Sequence, residues 1–161
     1  MKIFLGIDPG LADTGYGLVA QSGGELEMID YGSIQTSKKE AMPERLKKLA
    51  EELAKIILKH RPAAAAIEKL FFCANVTTAM AVGQARGVAM LALAQNQVPF
   101  IELTPLQVKQ ATTGYGKADK KQMQKMVKLI LKLKEIPRPD DAADALALAI
   151  CAAGQARFGR F

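Results

Sequence analysis

No run of 18 or more continuous apolar residues occurs in the 161-residue chain, so no stretch of it reads as a membrane span. The nearest approach, 140–153, is too short and opens on acids. Only one lysine and a short apolar run precede Asp8, too little for a signal peptide, and a cytoplasmic location is expected. The two cysteines, Cys73 and Cys151, match no zinc spacing and give no disulfide framework; they read as buried free thiols in a reducing compartment. The single histidine, His60, stands between Lys59 and Arg61 at a helix end, where it suits a C-terminal cap better than a ligand set. No linker, internal repeat or low-complexity tract divides the chain. One domain over 1–161 is expected, with a short tail from about 154.

An apolar content of 50% against 24% charged is ordinary for a globular protein. A chain of this length buries roughly 70% of the surface it exposes when unfolded. The net charge of +6 is unevenly placed. Residues 1–100 carry 11 Lys/Arg against 10 Asp/Glu, and residues 101–161 carry 11 against 6. A basic last third suits a polyanionic partner such as nucleic acid, although solubility alone asks for nothing more.

The chain opens on Lys2-Ile3-Phe4-Leu5-Gly6-Ile7-Asp8, a buried strand ending in a carboxylate, followed by the turn Pro9-Gly10. Tyr16–Ala20 reads as a second strand, Gly23-Gly24 as a hairpin turn and 25–35 as a third strand, giving an antiparallel meander. Leu46, Leu49, Leu53, Ile56 and Ile57 then recur at helical spacing from Pro43 to about His60. Ala63–Ile67, ending in Glu68, favours helix by composition, but its length after a helix stop fits a buried central strand. A helix over 76–97, a strand at 99–103, a short helix after Pro105, a loop at 112–117, a helix over 120–133 and a last helix from Asp140 or Asp141 to about Ala153 complete the chain. Strands first and alternating strands and helices afterwards imply a mixed α/β sheet of about five strands with helices on both faces.

Four carboxylates stand out. A lone acid at the end of a buried strand is costly unless compensated, and Asp8 has a cation, a metal ion or a capping role as its options. Glu68 ends the fourth strand. Asp141 and Asp144, three apart, share one face at the start of a helix that is apolar nearly all round. Singly, each has a plain role as a helix-dipole acid, turn cap or ion-pair partner. Converging at one sheet edge, they would repel and raise one another's pKa, and a divalent cation turns that repulsion into binding. Oxygen-only ligands suit Mg²⁺, with Mn²⁺ as a substitute, and two such ions serve phosphodiester hydrolysis.

The ordered set Gly6-Ile7-Asp8-Pro9-Gly10, Thr14-Gly15-Tyr16-Gly17, Ala66-Ile67-Glu68, Gly83-Gln84-Ala85-Arg86-Gly87, Gln107-Val108-Lys109-Gln110 and Asp141-Ala142-Ala143-Asp144-Ala145-Leu146 resembles the RuvC family of bacterial Holliday junction resolvases, from residue 3 to about 150. The resemblance implies a ribonuclease-H-like fold and a homodimer that binds a four-way DNA junction and nicks two strands symmetrically. It assigns Asp8, Glu68, Asp141 and Asp144 as catalytic acids and metal ligands, with Asp140 as an extra acid suited to capping the helix. It also implies a branch-migration complex, RuvA and RuvB, as a partner. Relatives often carry a longer basic tail, where this chain has Arg157 and Arg160.

Lys121, Lys125, Lys128 and Lys132 fall on one stripe of the 120–133 helix, opposite Met123, Met126, Val127 and Ile130. Alone such a stripe is a solvated face. Beside a phosphodiester-cleaving site it reads as a phosphate grip. Lys117 and Tyr115 belong to a loop suited to contacting an opened base. The resemblance adds Lys109 and Lys120 at the scissile phosphate, Phe71 as a stacking platform with Phe72 left to the core, and Gly83 and Gly87 at a dimer interface. Gly83 and Gly87, four apart, equally suit a close helix contact within one chain. A nucleotide-binding ATPase of the actin and sugar-kinase type shares a similar first hairpin but needs two such domains. A catalytically silent junction-binding scaffold would have lost an acid, and none of the four is missing.

Overall fold

Gly23 and Gly24, both at positive φ (57° and 95°), make the tight turn that lets β2 (Asp13–Ser22) fold back on β3 (Glu25–Gln35). The computed structural model describes residues 1–69, 76–157 and 159. Within it, β1 (Lys2–Asp8) pairs antiparallel with β2 on one side and parallel with β4 (Ala64–Glu68) on the other. β5 (Phe100–Leu103) joins parallel to β4, giving the order β3-β2-β1-β4-β5. The alanine-rich β4 is a strand despite its helical propensity, because it is hydrogen-bonded on both sides in the sheet centre. Phe71, Phe72 and Cys73 lie outside the described residues.

Strand alternation divides the core into two layers. Leu5, Ile7, Leu18, Ala65 and Ile67 face α1 (Met42–His60) and α2 (Val76–Gln95). Phe4, Val19, Ala64 and Ala66 face the other way, toward α4 (Lys120–Ile130) and α5 (Asp140–Arg157), with Val108 of α3 (Pro105–Thr113) in the same layer. Helix α2 is long and apolar enough to cross a membrane by length and composition alone. Here it covers the sheet, with Ala85, Ala89, Ala92 and Leu93 buried and Arg86 ion-paired to Glu102 of β5.

Helix α5 lies almost on the sheet backbone. Gly6 and Gly17 are directly paired across β1 and β2, and Gly15 sits opposite Asp8. A Cβ on Gly17 would come 2.6 Å from the Leu146 nitrogen, and one on Gly6 would overlap the Ala145 carbonyl. The missing side chains form a bed for the alanines of α5, and this close approach brings the first turn of α5 over the end of β1.

Several element limits differ from the sequence reading. β2 starts at Asp13, three residues before Tyr16, because its pairing with Gln35 extends the ladder. α3 runs through Thr113, so Thr112 is buried helix and the loop begins at Gly114. α4 stops at Ile130 and Lys132 turns to φ 52°, which takes Lys132 off the lysine stripe and toward Glu25, 3.1 Å away. α5 continues to Arg157, four residues beyond the expected end.

Candidate active site

Asp8 closes β1 and Glu68 closes β4, two neighbouring parallel strands in which Ile7 and Ile67 are register partners. Both isoleucines face α1 and α2, so the next residue on each strand faces α5. The turn after Asp8 is pinned by two buried threonines. Thr14 Oγ1 donates to the Gly10 carbonyl and Thr36 Oγ1 to the Leu11 carbonyl, while the Thr36 amide donates to the Ala12 carbonyl at 3.0 Å. Arg86 Nε donates to the Glu68 carbonyl at 3.3 Å, tying the end of β4 to α2.

Asp8, Asp141 and Asp144 each present a carboxylate oxygen within 4.8 Å of the others, and all three are half-buried. Asp8 also shares a side-chain hydrogen bond with Glu68, its carboxyl donating. Burial, then the charges of Glu68, Asp144 and Asp141, push the Asp8 carboxyl up to about 8. Burial likewise raises Glu68, Asp141 and Asp144. Such a cluster holds more negative charge than it can stabilise alone. Hard carboxylate oxygens at this spacing are the donor set of a divalent-cation site, so the three aspartates fit a metal ion.

The basic residues separate into two groups. Lys109 and Lys120 line a half-open cleft of about 200 Å3 together with Glu68, Asp144, Val108 and Met123. Lys109 draws the Glu68 carboxyl down against its burial. Lys120 Nζ lies 3.0 Å from Asp140 and 3.8 Å from Asp144. Lys117, Lys121, Lys125 and Lys128 form no ion pair with an acid among the described residues, and Tyr115 is exposed on the loop after α3. Gly83 is half-buried. Gly87 is exposed, with nothing from another element within 4 Å of where its Cβ would stand, so no close helix contact among the described residues uses it.

Two residues carry different roles from those expected. The Asp140 carboxylate does not cap α5: its oxygens face Lys120 and Gln124 of α4, and the Ala142 and Ala143 amides donate instead to the Pro139 carbonyl at 3.1 and 3.2 Å. His60 lies 3.4 Å from Asp30 of β3, and the helix end is closed by the Arg61 amide on the Ile57 carbonyl. Sequence reasoning missed Asp13, which accepts a hydrogen bond from Ser33 at 2.9 Å and whose charge raises Asp141. The signal was strand parity: Asp13 shares the α5 side with Gly15 and Gly17 once β2 is started at the right residue.

The family model described as crossover junction endodeoxyribonuclease RuvC matches residues 4–152. Proteins of that name from Alkaliphilus metalliredigens and Roseiflexus sp. are 54% identical over 156 residues and 57% identical over 147 residues. These alignments cover 97% and 91% of this chain and 95% and 88% of the relatives. The structure of Thermus thermophilus RuvC in complex with a Holliday junction substrate superposes with a TM-score of 0.94 at 37% identity, covering 99% of this chain and 98% of that one. The yeast mitochondrial Holliday junction resolvase Ydc2 shares the fold, with a TM-score of 0.69 at 16% identity over 98% of this chain and 81% of that one. With a matching family model over nearly its whole length and relatives at more than half identity, the chain belongs to the RuvC family of crossover junction endodeoxyribonucleases.

Proposed function

We propose that this chain is a divalent-metal-dependent endonuclease that resolves four-way DNA junctions by paired, symmetric phosphodiester hydrolysis. The observation that carries the reading is the convergence of the Asp8, Asp141 and Asp144 carboxylates at the end of the sheet, in a RuvC-family chain. Asp8, Glu68, Asp141 and Asp144 are the residues that would hold the metal, Mg²⁺ with Mn²⁺ as a substitute, in numbers sufficient for two ions. When bound, the ions supply Lewis-acid charge at the scissile phosphate and lower the pKa of water. Glu68, hydrogen-bonded to Asp8, orients that carboxylate, and the proton between them would leave to solvent when a cation binds.

Lys109 and Lys120, on the cleft beside the acids, neutralise the phosphate backbone at the cut. Lys117, Lys121, Lys125 and Lys128 extend the basic track along the loop and α4, where the duplex arms would lie. Tyr115 and Phe71 are proposed contacts to unpaired bases at the junction centre. Cutting two strands of like polarity calls for two sites related by a two-fold axis. The surface of α2 with exposed Val76, Met80 and Leu91, and with Gly83 and Gly87 along it, is the proposed homodimer face. A DNA substrate supports a bacterial cytoplasmic location as part of this reading.

The test is Asp8→Asn. The variant keeps its affinity for a labelled four-way junction, and Mg²⁺-dependent nicking falls by at least about a thousandfold, the scale of losing a catalytic electrostatic group. Full cleavage by the variant, or ATP hydrolysis without nicking by the unaltered protein, would sink the reading.

A further inference from the structure

Lys120 stands between two acids with different jobs. Its Nζ is 3.0 Å from Asp140 Oδ2 and 3.8 Å from Asp144 Oδ2. The other oxygen of Asp140 is engaged too, since Gln124 Nε2 donates to Oδ1 at 3.0 Å. Lys120 and Gln124 are four apart on α4, one turn above the other, so they grip one carboxylate as a fork. The amides of α5 leave that carboxylate alone, because Pro139 accepts from Ala142 and Ala143. Asp140 therefore joins α4 to α5 and does not cap its own helix.

We propose that Asp140, oriented by Gln124, is a positioning residue that holds Lys120 off Asp144 and so keeps the acid cluster open to a divalent cation. This rests on the metal-binding reading of that cluster. Lys120 is the cation that reaches Asp144 from α4. An ammonium closing from 3.8 Å to full contact with Asp144 would occupy the oxygen a metal ion needs, and the ion would have to displace it. The Asp140 contact, shorter and shared with Gln124, retains the lysine at the rim of the cleft instead. There it remains within reach of an arriving phosphate. The side chains of Lys120 and Asp140 are 53% and 58% exposed, so the contact adds little to fold stability and its effect is one of placement.

Mn²⁺ binding to the full chain without DNA, followed by electron paramagnetic resonance of the free ion, tests this. Asp140→Asn raises the Mn²⁺ dissociation constant by about three- to fivefold, the scale of an exposed ion pair. Gln124→Ala, which changes no charge, raises it by about twofold through the loosened fork. In a Lys120→Ala background both effects shrink to within error, because no lysine is left to close on Asp144. An equal drop for Asp140→Asn with and without Lys120 would overturn the proposal and leave only through-space charge, as would unchanged affinity in both single variants. Thermal melts of each variant establish that it is folded, and Gln124→Ala, at a half-buried position, keeps the test open if Asp140→Asn is not. Failure of the unaltered protein to bind Mn²⁺ in a manner lost with Asp8→Asn would instead overturn the metal reading itself.

Discussion

At Asp8 the proposed chemistry and the stability of the fold pull in opposite directions. Its carboxyl, raised from 3.8 to about 8, keeps in the folded metal-free chain a proton that the unfolded chain releases above about pH 4. The folded state thus binds more protons across that window, and stability of the metal-free protein falls as pH rises from about 4 to about 8. Asp8→Asn removes most of that slope and stabilises the metal-free fold at about pH 8 by at least about 2 kcal/mol, each pKa unit carrying about 1.4 kcal/mol. Thermal melts in chelator at about pH 5 and about pH 8 check this; parallel profiles for the two proteins would refute it. A cation must displace the same proton, so the Mg²⁺ concentration for half-maximal nicking falls over the same rise in pH. The four acids were legible because each stands at a strand end or on a helix face that alternation and helical period define. Asp140 was not, because its partners Lys120 and Gln124 come from a different helix and only tertiary placement selects them over the nearby amides.

Among the elements, α5 and α4 carry separable predictions. The glycine bed under α5 leaves no room for a methyl group, so Gly17→Ala is expected to cost about 2–3 kcal/mol by overpacking against backbone that cannot move aside. Chemical denaturation measures it; a loss under about 0.5 kcal/mol would mean that α5 lifts off the sheet freely. On α4, Lys121→Ala, Lys125→Ala and Lys128→Ala combined should flatten the salt dependence of junction binding by about 2–3 in the log–log slope, each phosphate contact contributing about 0.9. An unchanged slope would return the stripe to ordinary solvated surface. The end of this helix was misjudged because Leu131 and Leu133 prolong an apolar pattern past Ile130, and nothing local marks Lys132 for the left-handed region. The opposite case is β4, where three alanines argue for helix and the two flanking strands decide otherwise.

For the whole molecule, the exposed apolar side chains of α2 are the feature a lone chain would not be expected to keep. Val76, Met80 and Leu91 are 70%, 64% and 56% exposed on a helix whose other side is core. Met80→Glu with Leu91→Glu should convert a sedimenting dimer into a monomer that still nicks junctions but no longer cuts two strands in one encounter; an unaltered dimer would move the interface elsewhere. The family and the mixed five-stranded sheet could be read from the linear chain because motif order and the alternation of elements are local properties. The proposed dimer face rested on the family resemblance at Gly83 and Gly87 alone, since a buried and an exposed apolar stripe look alike until the sheet chooses between them. The sheet order also has a temporal consequence. Asp8 and Glu68 come together only when β1 and β4 pair in parallel across the first helix, and Asp141 and Asp144 arrive with the last helix of the chain. During synthesis the ribosome releases strands, helices and most of the core before the acid cluster is complete. On the proposed acid set, cutting of DNA therefore awaits the docking of α5, so cleavage competence comes late in the folding of these elements.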